Sequence, residues 1–291
     1  METAINQKVK YYIVPDVHGR TFYRNTLDTF MLEEGDPHMI FLGDYIDPYP
    51  DEDIDAGDAF DRFKYIVGQK RQHPKRITLL IGNHDLHYFD GSRKGCRMDH
   101  YRHQEITDFF IANIDMFDFA KFITVNGRNY IVSHAGFNYS WVSYYSDALE
   151  ICDNDDFSDE KVIESFNFGF LSSFDWTDMA LDKDWLNRYG DCGTSRGGWC
   201  NHPSFLWADL SDHLFQHVRV ADCEQIFGHT MQPVGEPLKF GNCYCLDCQE
   251  VFKIGEDGVV RSMFGSEIPD REKELRDAYE KYYARLSAFF C

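Results

Sequence analysis

The sequence predicts an α/β layered fold, and two observations carry that expectation. Short apolar runs alternate with polar, helix-compatible stretches over the first 120 residues. Each of these runs is followed by a small cluster of Asp, His, Asn and Gly. Runs that are apolar on both faces suit a sheet covered on both sides, and strands alternating with helices build layers.

Tyr11-Tyr12-Ile13-Val14, Met39-Ile40-Phe41-Leu42 and Ile77-Thr78-Leu79-Leu80-Ile81 are the first expected strands. The stretches between them, roughly 21–34 and 57–72, are expected helices. Further on, Phe122-Ile123-Thr124-Val125 and Tyr130-Ile131-Val132 flank Asn126-Gly127-Arg128, a hairpin signal. A polar, aromatic-rich segment runs from about 137 to 221. Strands are expected again at Gln225-Ile226-Phe227, around Tyr244 to Leu246, and at Val251-Phe252-Lys253-Ile254. Glu256-Asp257-Gly258 reads as a turn into Val259-Val260, and a charged helix closes the chain from about 270 to 289. With no internal repeat or low-complexity linker, residues 1–291 read as one domain with a cap-like or inserted segment at about 137–221.

Composition narrows the function classes. The hydrophobic share of 43% and aromatic share of 16% suit a globular chain with a real core. Net charge is −20, which repels a nucleic-acid backbone, and no basic run offsets it. Nucleic acid is therefore an unexpected partner. The acidic stretches Asp51 to Asp61 and Asp153 to Glu160 read as solvated loops. No apolar run approaches the ~18 residues that cross a bilayer, so no membrane partner is expected. The polar start METAINQKVK gives no secretory signal, and the odd count of nine cysteines reads as reduced thiols in the cytoplasm.

Five polar clusters carry the chemistry: Asp16-Val17-His18-Gly19, Gly43-Asp44-Tyr45-Ile46-Asp47, Gly82-Asn83-His84-Asp85, Ser133-His134-Ala135-Gly136 and Gly228-His229-Thr230. Each alone reads as a turn or a cap. Together, each at the end of an apolar run, they can meet beyond the carboxyl ends of strands. Asp, His and Asn are hard or borderline ligands for Mn²⁺, Fe or Zn²⁺, and the clusters contain no sulfur.

These clusters resemble the calcineurin-like metallophosphoesterases, whose pattern runs D-x-H, G-D-x-x-D, G-N-H-[DE], a His before small residues, and G-H. The spacing looks closest to the phosphoprotein-phosphatase branch, which includes bacterial and phage Ser/Thr phosphatases and diadenosine tetraphosphatases. The resemblance covers about residues 11–254. It implies a layered β-sandwich of two mixed sheets flanked by helices. It implies two divalent cations, with Asp16, His18 and Asp44 on the first and Asp44, Asn83, His134 and His229 on the second. It implies hydrolysis of a phosphate ester by a metal-bridging hydroxide, with His84 as proton donor and Asp47 orienting or charging it. The expected substrate is a phosphorylated small molecule, nucleotide or phosphoprotein.

Three departures matter. The family's last motif is often G-H-x-H, and the second His position here is Met231. The phosphatase branch has Arg-Gly after G-D-x-x-D, where this chain has Pro48 and Tyr49. The branch often has Arg before G-N-H, where this chain has Ile81. Two arginines that clamp phosphate bidentately are thus missing. Arg196, within Ser195-Arg196-Gly197-Gly198, is either a substitute or a surface Arg in a Gly-rich loop. A phosphomonoesterase of the protein-phosphatase type is the leading expectation. A nucleotide hydrolase or phosphodiesterase, dinucleoside polyphosphates included, is the alternative, and a non-catalytic scaffold is more distant.

Other features have plainer readings. Cys243-x-Cys245-x-x-Cys248 suggests zinc, with Cys223 or His217 as a further ligand, but a buried reduced strand is the expectation. His87, His100 and His103 are expected to be satisfied or solvated. Trp141, Trp176, Trp185, Trp199 and Trp207 are expected to pack in the segment's core.

Overall fold

A computed structural model describes residues 8–33, 35–89, 96–145, 160, 163–164, 167, 174–175, 180–181, 183–214 and 223–289. Trp176, His217 and residues 153–159 of the second acidic stretch lie outside the described residues. Thirteen strands are described, in chain order: β1 Val9–Val14, β2 His38–Phe41, β3 Ile77–Leu80, β4 Phe117–Asp118, β5 Ala120–Val125, β6 Arg128–Ser133, β7 Phe174–Asp175, β8 Ala180–Leu181, β9 Glu224–Phe227, β10 Leu238–Phe240, β11 Cys243–Cys245, β12 Phe252–Gly255 and β13 Val260–Ser262.

They form two mixed sheets and a small hairpin of β7 and β8. The first sheet runs β13-β12-β1-β2-β3-β4, with β1 to β4 parallel and β12 and β13 antiparallel. The second runs β10-β11-β9-β6-β5, with β11, β9 and β6 parallel. The expected sandwich of two mixed sheets is what is found.

Alternation along the strands explains the layers, because successive side chains point to opposite faces. Ile13, Ile40, Leu42 and Leu80 pack with Tyr130, Val132, Ile226 and Tyr244 between the sheets. Their neighbours Tyr12, Val14, Met39, Phe41, Ile77 and Leu79 pack with Phe60, Phe63, Ile66 and Val67 of the helix Ala56–Gln72. On the far side, Phe227, Phe240, Cys243 and Cys245 meet Leu214, with Leu275 and Tyr279 of the closing helix Glu272–Phe289 packed against them. Cys243 and Cys245 therefore share a face and are buried, and among the described residues no metal grouping includes them.

The turn residues act as their chemistry requires. Asn126 and Gly127 both have positive φ, 52° and 75°, and Val125 pairs with Arg128. The connection is thus a two-residue hairpin rather than three. The helix expected at 21–34 is shorter, Arg24–Thr29, and tightens into a 3₁₀ turn at Phe30–Leu32. Unforeseen elements include the helix His103–Ile111, the one-turn helix Asn83–Leu86, strands β4 and β10 and, within the segment at about 137–221, β7, β8 and the helices Tyr139–Tyr145 and Lys183–Tyr189.

Phe63 is central to the helical layer. Its ring contacts Tyr45 at 4.8 Å, Phe110 at 4.7 Å and Phe109 at 5.4 Å between centroids. Phe63→Ala is expected to lower stability by about 3–5 kcal/mol, the range for truncating a fully buried aromatic ring. A loss of unfolding free energy in urea of under about 1 kcal/mol would refute this placement.

His213 gives a pH prediction. Its Nε2 hydrogen-bonds the Ala135 carbonyl at 2.9 Å and its ring stacks on Phe227 at 4.7 Å. Burial pushes its pKa down to about 4, outweighing the carbonyl, which raises it. The folded state therefore binds fewer protons than the unfolded chain between pH ~4 and ~6.5. Stability from the neutral ring is complete above the unfolded value and is lost as pH falls through this window. His213→Gln, which cannot titrate, is expected to flatten the fall in urea midpoint between pH 7 and 4. Equal slopes in both proteins would exclude His213 as a source.

Candidate metal centre

Five parallel strands, β1, β2 and β3 from one sheet and β6 and β9 from the other, deliver their carboxyl ends to one place. Asp16 and His18 follow β1, Asp44 and Asp47 follow β2, and Asn83 and His84 open the one-turn helix after β3. His134 follows β6 and His229 follows β9. All eight side chains are buried.

Close backbone approach makes this possible. Gly43 has φ 105°, and a Cβ there would collide with the Gly82 backbone nitrogen. A Cβ on Gly228 would collide with Asp16 Oδ1. Only glycine admits both approaches. Four site residues also hold left-handed backbone: His18 at 44°, Asp44 at 51°, Asp47 at 60° and His229 at 61°. Such conformations are disfavoured for L-residues and gather at functional sites.

Asp16, His18 and Asp44 place one ligand atom each within 4.8 Å of one another. His18 Nδ1 lies 3.0 Å from the Ile46 carbonyl, which can only accept, so Nδ1 carries the proton. Its bare Nε2 then faces Asp44 Oδ2 at 3.4 Å. Burial pushes the His18 pKa down to about 3, against the pull of Asp44, so the ring is neutral. Burial raises the Asp44 pKa, but the imidazoles of His134, His84, His18 and His229 outweigh it and hold the carboxyl ionised.

A second group stands on the other side of Asp44. His134 Nδ1 lies 2.9 Å from the Leu42 carbonyl, which leaves Nε2 bare. That Nε2 faces Asn83 Oδ1 at 2.9 Å, His229 Nδ1 at 3.2 Å and Asp44 Oδ1 at 3.7 Å. The bare His134 Nε2 and the oxygens of Asn83 and Asp44 turn lone pairs to one another in a buried pocket, an arrangement that a cation would satisfy. The donors are oxygen and imidazole nitrogen only, the set that divalent Mn, Fe and Zn accept. The geometry thus fits metal.

His84 stands beside both groups. Its backbone N–H donates to Asp44 Oδ1 at 2.9 Å, and its Nδ1 lies 2.9 Å from Asp47 Oδ2. Asp47 also accepts the Tyr88 hydroxyl at 2.6 Å. Burial works against charge on His84, but the Asp44 and Asp47 carboxylates win and raise its pKa to about 10. Arg97 Nη2, however, lies 2.9 Å from His84 Nε2, a contact that only a neutral ring can accept. The two states are alternatives, and geometry favours the neutral ring while the guanidinium stays there.

Asp85 is a further member that its motif position concealed. It is buried, and its carboxylate is occupied by backbone: it accepts the N–H of Asp44 at 2.7 Å, Gly82 at 2.8 Å and Tyr45 at 3.1 Å. Arg196 reaches the edge of the site, where Nε lies 2.9 Å from Asp209 and Nη2 donates to Thr230 Oγ1 at 3.0 Å. Of the other histidines, His87 is buried beside His84 and Trp207, His103 packs on Tyr88, and His100 is exposed. Trp141 and Trp185 are core residues, whereas Trp199 is 97% exposed, so the expectation of packing fails there.

Gly228→Ala is expected to displace the Asp16 carboxylate and strip the site it serves, with folding lowered by about 1–3 kcal/mol as for other overpacked positions. Elemental analysis checks this; full metal stoichiometry in the variant would show that Asp16 is not a ligand.

The family pattern described as Calcineurin-like phosphoesterase matches residues 9–233, well over half of the chain. A catalytic chain of protein phosphatase 2A from Dictyostelium discoideum is 27% identical over 212 residues, covering 71% of this chain. The chain spans 59% of that relative's length. A protein serine/threonine phosphatase from Saccharomyces cerevisiae with similarity to human phosphatase PP5 superposes with a TM-score of 0.50 at 16% identity, over 92% of this chain and 83% of that one. The latter is a likeness of fold, and it agrees with the two mixed sheets. The chain belongs to the calcineurin-like phosphoesterase family.

Proposed function

We propose that this chain is a dinuclear metal-dependent phosphomonoesterase of the protein-phosphatase type. One observation carries the reading: Asp44 turns its two carboxylate oxygens to two different donor groups, with the His84 imidazole beside them. Asp16, His18 and Asp44 would hold one cation, and Asp44, Asn83, His134 and His229 the other. Mn²⁺ suits this set, as do Fe and Zn. When bound, such ions supply Lewis acidity to a phosphoryl group and acidify a water towards neutrality.

The chain's own residues supply position and a proton. Asp47 and Tyr88 fix the His84 ring through Nδ1, so that Nε2, now beside Arg97, is the nitrogen that would serve substrate. A proton on Nε2 would pass to the leaving oxygen as the phosphorus–oxygen bond breaks. The backbone bond from His84 to Asp44 ties this donor to the carboxylate shared by both groups. Residues 1–291 would act as one domain, with the segment at about 137–221 forming a cap over part of the site. Cys96, Cys200, Cys245 and Cys248 are free thiols, which supports a reducing, cytoplasmic setting. Among the described residues no helix is long and apolar enough to cross a membrane.

His84→Ala is expected to lower kcat by ~10²–10⁴-fold while metal content stays near wild type. Phosphate release from p-nitrophenyl phosphate and a phosphopeptide, beside bis-p-nitrophenyl phosphate and diadenosine tetraphosphate, tests the substrate class. Monoesters are expected to react fastest. A fully metal-loaded protein that leaves both monoesters intact would overturn the reading.

A further inference from the structure

The motifs after β2 and β3 leave the phosphate without a guanidinium, since Pro48 and Tyr49 follow Asp47 and Ile81 precedes Gly82. The folded chain brings one from elsewhere. Arg97 Nη1 donates to the Asp47 carbonyl at 2.8 Å, and Nη2 lies 2.9 Å from His84 Nε2. The guanidinium carbon sits 3.7 Å from the centroid of the Tyr49 ring. Tyr49 stands edge-on to His18 at 5.0 Å, and His18 edge-on to His84 at 5.1 Å. The group is therefore stacked against the wall of the centre, and it reaches the nitrogen that would serve the leaving oxygen.

The other arginines near the centre are engaged. Arg20 is paired with Glu52 at 2.8 Å, and Arg196 with Asp209 at 2.9 Å. Arg97, among the described residues, is held by a carbonyl, an imidazole and an aromatic face. None of these neutralises its charge. Its backbone is left-handed, with φ 64°, so the chain adopts a disfavoured conformation where the side chain enters the site.

The geometry points to Arg97 as the phosphate-binding residue of this enzyme, taking the place of the missing motif arginines. A guanidinium matches two phosphoryl oxygens in a planar fork, and stacking on Tyr49 fixes that plane. One carbonyl and one imidazole occupy only part of its five donors. An anionic oxygen entering between Arg97 and His84 would accept from both, and would replace the contact in which guanidinium and imidazole now meet. The proposal rests on the phosphomonoesterase reading above. It assigns a substrate-holding role to a residue outside every cluster recognised in the sequence.

The test measures binding of inorganic phosphate to the Mn²⁺-loaded protein by calorimetry, with kcat and KM for p-nitrophenyl phosphate, in wild type, R97A and R97K. R97A is expected to lose about 10- to 100-fold in phosphate affinity and in kcat/KM, the range that charge-assisted hydrogen bonds carry. R97K keeps the charge without the fork and should fall between the two. Added guanidinium ion at low millimolar concentration should partly restore R97A. Metal content and thermal midpoint should stay at wild-type values, which a merely structural Arg97 would not permit. Phosphate affinity in R97A within twofold of wild type, with the wild type active, overturns the assignment of Arg97 alone. A wild type that neither binds phosphate nor cleaves the ester overturns the phosphomonoesterase reading, and the Arg97 assignment with it.

Discussion

The centre depends on one carboxylate that would bind no metal. Asp85 gathers the backbone N–H groups of Asp44, Tyr45 and Gly82, and so ties the loop after β2 to the loop after β3. Asp44 returns the bond by accepting the His84 N–H. Gly43 and Gly82 let the two backbones meet at a distance no side chain would allow. The carboxylate at the middle and the imidazole beside it are thus positioned by one reciprocal lock. Tyr45 carries the lock into the core, where its ring stacks on Phe63 and its hydroxyl donates to the Leu80 carbonyl at 2.8 Å.

That lock, with the bonds from the His18 N–H to the Asp44 carbonyl and from the His229 N–H to the Asp16 carboxylate, surrounds four non-glycine residues that keep left-handed backbone. Each such residue costs on the order of 1–3 kcal/mol. The strain persists only where surrounding structure over-determines it. Two apolar layers flank the first sheet, and each fully buried Val, Leu, Ile or Phe in them contributes roughly 1.5–3 kcal/mol. The strained residues lie at strand ends where those layers finish. The core sets their positions, and the site uses the orientations that result.

Much of the fold was legible because strand chemistry is periodic. Apolar runs near 11, 39 and 77 marked strands covered on both faces, and Asn126-Gly127 marked a tight turn. The helix Asn83–Leu86 was not legible, since one turn has no period to detect. β10 was missed because Leu238-Lys239-Phe240 is too short to alternate visibly after two prolines. At the site, the polar clusters could be read as donors, but their partners could not. Asp85 looks like one more ligand in its motif, and only its three N–H bonds reveal otherwise. Tyr88 and Arg97 carry no local mark at all; their roles arise from side-chain contacts with Asp47 and His84 that exist only in the folded chain.

The two donor groups also belong to different sheets in part. Asp16, His18, Asp44 and Asn83 stand on the first sheet, and His134 and His229 on the second. Hydrogen bonds cross between them at the mouth of the sandwich: His134 Nδ1 to the Leu42 carbonyl, and the His229 N–H to the Asp16 carboxylate at 3.0 Å. Directly beneath, Leu42 and Leu80 pack with Val132 and Ile226. A cation held by Asp44 and His134 together would therefore join the sheets at the point where their apolar contact ends. Binding free energy at such a place is also folding free energy, because the unfolded chain has no preformed site. The centre would then act as a fastening of the sandwich as well as its reactive end, and the packing between the sheets would in turn set the spacing of the two donor groups.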